Sequence, residues 1–94
     1  MNIFIVIVSY VAGLDDIDAA LPDHIAWLDS MYERGVLIAS GRQIPRVGGV
    51  LLARSDSRED LERVLETDPF RRRGFSETQI IEFQPSKTAE GIKL

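Results

Sequence analysis

Residues Ile3 to Val8 read Ile-Phe-Ile-Val-Ile-Val, apolar without a break. A strand with one wet face alternates apolar and polar side chains, and this run does not. It needs cover on both faces, which places it in the middle of a sheet. It is too short to cross a membrane as a helix. It also lacks the basic start and small-residue cleavage site of a signal peptide.

The remainder of the chain supplies partners for that strand. Asp15 to Leu21 is acidic and reads as a short helical turn. Pro22 fits the first position of a longer helix running to about Arg34. Ile25, Leu28 and Tyr32, with Leu21 before them, follow helical spacing. Gly35 is placed to end that helix, with Asp23 and Arg34 complementing its dipole. Val36 to Ala39 reads as a second strand, continued by the polar Ser40 to Gln43. Ile44 to Gly49, with one proline and two glycines, reads as a loop or irregular hairpin. Val50 to Arg54 is a third strand.

Ser57 is a candidate N-cap, with Asp60 three residues on. Leu61, Val64 and Leu65 form the apolar stripe of a second helix. The residue before a proline resists helical geometry, so Asp68 should sit in an extended or turn conformation. Arg71 to Gly74 reads as a turn. Thr78 to Phe83 is the last strand, with Gln79 and Glu82 suggesting an edge. Pro85 ends it, and residues 85–94 are a polar tail.

The order β-α-β-β-α-β is the ferredoxin-like α+β arrangement, a four-stranded antiparallel sheet with both helices on one face. Its two central strands are the first and the third, the most apolar ones here. The second sheet face would then expose the outward residues of an all-apolar strand. A second copy packing sheet to sheet would cover it, so a homodimer is expected.

With 94 residues, the chain is expected to form one domain. It has no cysteine, which excludes disulfides, thiolate nucleophiles and cysteine-based metal sites. That absence fits a reducing compartment, and the protein is read as cytoplasmic. The net charge of −4 argues against general affinity for nucleic acid or anionic membranes. Arg71-Arg72-Arg73 is a local exception, read as a solvated turn or ion-pairing patch.

Candidate chemistry centres on His24, the only histidine. Imidazole can take up and return a proton near neutral pH. The bland alternative is a half-buried histidine bonded to a carbonyl. If the fold brings Asp68 to it, the carboxylate would accept one ring N–H, fix the tautomer and leave the other nitrogen for substrate. Asp68 alone reads as an ordinary turn former. Ser40 and Arg42 extend a strand that should pass near the start of the first helix. Arg42 is a candidate clamp for a substrate carboxylate, or else a surface ion pair. Ser40 is a candidate to position a substrate oxygen, and Tyr10 to line the same pocket or simply end its strand. One histidine and no cysteine give no metal-ligand spacing. Gly48-Gly49 lacks the lysine and helix of a phosphate loop. No cofactor is expected.

Several segments together resemble the YciI-like, or YCII-related, family. They are the aliphatic strand ending at Tyr10, Pro22-Asp23-His24 followed by Ile25 and Leu28, Gly35 through Gly41, Gly48-Gly49-Val50-Leu51-Leu52, the helix start at Ser57-Arg58-Glu59-Asp60, and Asp68-Pro69-Phe70 with Gly74 after it. They span roughly Met1 to Phe83. The resemblance implies a dimeric α+β barrel, the fold shared with muconolactone isomerases. It also implies a site in which the residues matched by His24 and Asp68 form a dyad, in a family that includes dehydrochlorinases of aromatic breakdown. One departure is Arg42 after Gly41, where the family often has Gly-Pro. The resulting expectation is a cofactor-independent isomerase, lyase or dehydrochlorinase acting on a small ring or carboxylate substrate. The alternatives are a non-catalytic dimeric module that binds a small molecule or protein, and a cofactor-free oxygenase.

Overall fold

A computed structural model describes all residues from Met1 to Leu94. The elements run β1 (Asn2–Tyr10), α1 (Leu14–Glu33), β2 (Leu37–Arg42), β3 (Gly48–Ser55), α2 (Arg58–Leu65), α3 (Pro69–Arg72) and β4 (Ser76–Phe83). The sheet order is β2-β3-β1-β4 and every pairing is antiparallel. The uninterrupted apolar strand is therefore central, as expected, and β4 lies on an edge. The helices cover one face, giving the ferredoxin-like α+β architecture.

The side chains of β1 divide by parity. Phe4, Val6 and Val8 face the helices and are buried. They pack with Leu51 and Ala53 of β3, Leu37 of β2, Trp27 and Met31 of α1, and Leu61 and Leu65 of α2. A smaller cluster of Ile17, Ala20 and Phe70 lies where α1 meets α3. On the opposite face, Ala39, Leu52, Ile5 and Ile81 form one apolar row across all four strands. Val50, Ile81 and Phe83 on that face are 37–41% exposed.

The structure corrects the first helix. Asp15–Leu21 and Pro22–Arg34 are not two segments, because α1 continues through Pro22. An interior proline loses one backbone hydrogen bond and costs about 3 kcal/mol. Ile17 and Ala20 before it and Trp27 and Met31 after it are all buried. Burying large apolar side chains at roughly 1.5–3 kcal/mol each offsets that cost and keeps both halves on one axis. Asp23 is consequently mid-helix rather than in a first turn, and it bonds Arg73 at 2.7 Å. The buried stripe also differs from the expected one. Ile25 and Tyr32 are 47% and 40% exposed, and the core contacts come from Ile17, Ala20, Trp27 and Met31.

The helix ends follow local chemistry. Gly35 adopts φ +74°, and the Val36 N–H bonds the Met31 carbonyl across it at 2.9 Å. Ser57 Oγ accepts the Asp60 N–H at 3.1 Å. The Asp60 carboxylate pairs with Arg63, so only half of the capping box forms. Arg71 and Arg72 belong to α3 and not to a plain turn. The tail after β4 has no helix or strand and closes one turn, Ile92 N–H to Ala89 O.

Candidate functional site

The site is built where α1 grips the turn between α2 and α3. Asp68 precedes Pro69 and is extended at φ −63°, ψ 127°, as the proline demands. From there its Oδ1 accepts the Phe70 N–H at 3.1 Å and caps α3. The same oxygen lies 2.7 Å from His24 Nδ1 on α1, 44 residues away. Asp68 is buried, and the His24 side chain is 13% exposed. A carboxylate accepts, so Nδ1 carries the proton of this bond.

Two further contacts fix the imidazole. Its ring lies nearly parallel to Phe70, with centroids 4.0 Å apart and a 10° interplanar angle. Trp27 lies on α1 one turn further, 5.9 Å from the imidazole. The indole N–H donates to Thr67 Oγ1 at 2.8 Å, tying α1 to the residue before Asp68. Tyr10 packs edge-on against Phe70 at 5.8 Å. Arg73 to Asp23 adds an ion pair across the same α1–α3 junction. That pair answers the basic run in favour of ion pairing at Arg73.

With Nδ1 engaged, Nε2 is the ring nitrogen that has no hydrogen-bond partner within the chain. His24 lines a cavity of about 260 Å³ between α1 and the ends of β1, β2 and β3. The apolar wall comes from Val8, Leu21, Ile25, Leu28, Leu51 and Phe70. This explains the exposed Ile25: it faces the cavity and not the core. A dry cavity of about 150 Å³ already holds benzene, so the space suits one substituted ring. A larger groove of about 640 Å³ runs beside α2 and β4, but six of its eight lining residues are polar and none is a histidine.

The residues singled out from the sequence converge here. Tyr10, His24, Ser40 and Arg42 all line the cavity, and Asp68 stands behind the imidazole. Ser40 Oγ is 2.7 Å from the Tyr32 hydroxyl. Arg42 ends β2 and is exposed.

Sequence reasoning missed Arg46 and the stacking role of Phe70. Arg46 lies in the loop between β2 and β3, lines the cavity and pairs with Asp18 of α1. The hydrogen bond from Arg46 holds the Asp18 carboxyl below the usual carboxylate range, with the charges of Arg46 and Arg42 adding to it. Asp18 in turn raises the Arg46 guanidinium, which also lies beside Tyr10. No periodic pattern marks a lone arginine in a proline- and glycine-containing loop. Phe70 was visible within Asp68-Pro69-Phe70, but its partner ring was not.

Gly48 begins β3 opposite the end of β1, next to the cavity-lining Gly49. A Cβ there would lie 1.8 Å from the Val8 carbonyl oxygen, which Gln43 Nε2 approaches at 3.1 Å. Only glycine lets β3 run this close to β1 beside the cavity.

No helix is long and apolar enough to cross a membrane. No group of three metal-ligating side chains comes together.

No curated protein sequence matches the chain. Among solved structures, it is similar to 5-chloro-2-hydroxyhydroquinone dehydrochlorinase from Burkholderia phenoliruptrix, determined in complex with 2,5-dihydroxybenzoquinone. The TM-score is 0.76 at 17% identity, over 87% of this chain and 93% of that one. At that identity the likeness establishes the shared fold. The sequence match is broader: the family described as YCII-related domain covers residues 1–84, from the start of β1 to just past the end of β4. A ferredoxin-like sheet, a histidine on its first helix and an aspartate at its last turn thus stand in a chain that belongs to the YCII-related domain family.

Proposed function

We propose that this protein is a cofactor-independent enzyme of the isomerase, lyase or dehydrochlorinase type. In this reading, His24 moves a proton on a small ring substrate. The observation that carries it is the 2.7 Å contact between His24 Nδ1 and the buried Asp68, which leaves Nε2 to a ring-sized cavity. Asp68 fixes the tautomer and offsets the positive charge that arrives with the proton. Phe70 and Trp27 hold the ring plane. In an isomerisation, Nε2 takes a proton from a carbon beside a carbonyl and returns it elsewhere on the conjugated system. In a dehydrochlorination, Nε2 takes the proton, the freed electron pair moves through the ring, and the carbon–chlorine bond breaks with chloride keeping its electrons. The similarity in fold to a dehydrochlorinase supports the second form.

The test is chloride release from 5-chloro-2-hydroxyhydroquinone. The wild type should turn it over. His24→Ala should keep its circular dichroism and lose about a hundred- to ten-thousand-fold in rate. Full activity in that variant would end the proposal. A substrate that binds the wild type and returns unchanged would favour a non-catalytic binding module.

The same reading includes a homodimer. The apolar row Ala39–Leu52–Ile5–Ile81 lies on the helix-free face, where a second sheet would remove it from water. Sedimentation at micromolar concentration should show a dimer, and a monomer would remove this part. The lack of cysteine supports a cytoplasmic setting.

A further inference from the structure

We infer that Arg46 and Arg42 form an oxyanion subsite in the His24 cavity, so that the molecule bound there is a single ring carrying an ionised oxygen group. This rests on the His24 cavity being the substrate site, and it names the substrate class.

Three observations carry it. First, the thirteen cavity-lining residues include two arginines and a histidine but no aspartate or glutamate. The whole chain has fifteen acids against eleven bases, so the wall has the opposite charge bias to the molecule. Second, Arg46 is tethered to α1 by an ion pair. Its side chain is 25% exposed, and Asp18, which is absent from the cavity lining, takes its Nη2. A guanidinium has five N–H donors, and Asp18 with the neighbouring Tyr10 hydroxyl leaves part of the fork unused. Third, the other polar groups of the wall are largely committed. His24 Nδ1 is held by Asp68, and the Ser40 hydroxyl by Tyr32. The unspent donors include the Tyr10 hydroxyl and those of the two guanidiniums, and only the guanidiniums carry the charge and the fork that suit a planar oxyanion in a bidentate grip. The hydrogen bond from Arg46 lowers the Asp18 pKa and so favours the carboxylate form that holds the guanidinium.

A ring lying along Leu21, Ile25 and Leu28 would then have an apolar body, a basic nitrogen at one side and cationic donors at another. Two sources share this chemistry, a ring carboxylate and an ionised ring hydroxyl.

The experiment compares charged and neutral ring probes by calorimetric titration. Benzoate is set against benzamide, and 4-nitrophenolate against nitrobenzene, each pair at a pH where the acid is ionised. The wild type should prefer at least one anion over its neutral mate by tenfold or more, the expected scale for a hydrogen bond to a charged group. The preferred pair identifies the oxygen group. Arg46→Gln should erase most of that preference and Arg42→Gln a smaller part. His24→Ala should retain it, although its turnover is lost, so failure of the catalytic reading and failure of the subsite are separable. If Arg46→Gln does not fold, Arg46→Lys keeps the charge and loses the fork, and it should still lower the preference severalfold. Equal affinity of the wild type for both members of both pairs would overturn the inference. So would an undiminished preference in a folded Arg46 variant.

Discussion

The two apolar clusters on the helix side of the sheet do different work. The larger joins Phe4, Val6 and Val8 to Trp27, Met31, Leu61 and Leu65, with hydrocarbon on nearly every side. The smaller has only Ile17, Ala20 and Phe70 fully buried, with Tyr10, Ala12, Leu21 and Phe75 around them. His24 lies at their seam, stacked on Phe70 of one and facing Trp27 of the other. A polar pair is tolerated there because each partner is satisfied: Nδ1 by the carboxylate, and the carboxylate by Nδ1–H and the Phe70 N–H. The thick cluster sets the fold. The thin one leaves room for a cavity and a histidine.

The contrast can be broken by mutation. The largest expected effect is Phe4→Ala, at a fully buried site in the thick cluster. It should cost about 3–5 kcal/mol in urea unfolding, most of the stability of a small domain. A loss below about 1 kcal/mol would mean that this cluster does not carry the fold. Next is Asp68→Ala, which removes the cap of α3 and the partner of His24 together. About 1–3 kcal/mol is expected, with Asp68→Asn closer to wild type in stability because its amide oxygen can still accept the Phe70 N–H. Asn should nevertheless lower turnover, since it brings no charge to offset the imidazolium. Equal turnover in Asn and wild type would separate Asp68 from the chemistry. The smallest is Ser57→Ala, far from the cavity. It should cost about 1 kcal/mol and leave probe binding unchanged.

The same contrast explains what could be read from the chain. The six-residue apolar run of β1 needs cover on both faces, so its central place was legible, and the order of elements supplied the rest of the sheet. Ser57 and Gly35 announced helix ends through local hydrogen bonding and positive φ. Pro22 misled, because its local preference for a helix start lost to burial on both sides of it. The stripe of α1 was misread for a related reason. Ile25 is as apolar as a core residue, and spacing does not distinguish a core from a ligand cavity. His24 and Asp68 were nominated by residue type and by family resemblance. No spacing rule relates positions 44 apart. Arg46 had no signal at all, because its role depends on where a loop crosses α1.

Because the chain has one histidine, a single measurement reaches the central claim. Nitrogen-15 NMR of histidine-labelled protein, recorded where the ring is neutral, reports which nitrogen holds the proton. The proton should lie on Nδ1, bonded to Asp68, with a bare Nε2 whose resonance shifts when benzoate or 4-nitrophenolate enters the cavity. A ring protonated at Nε2, or one whose signal is the same in Asp68→Ala, would contradict it.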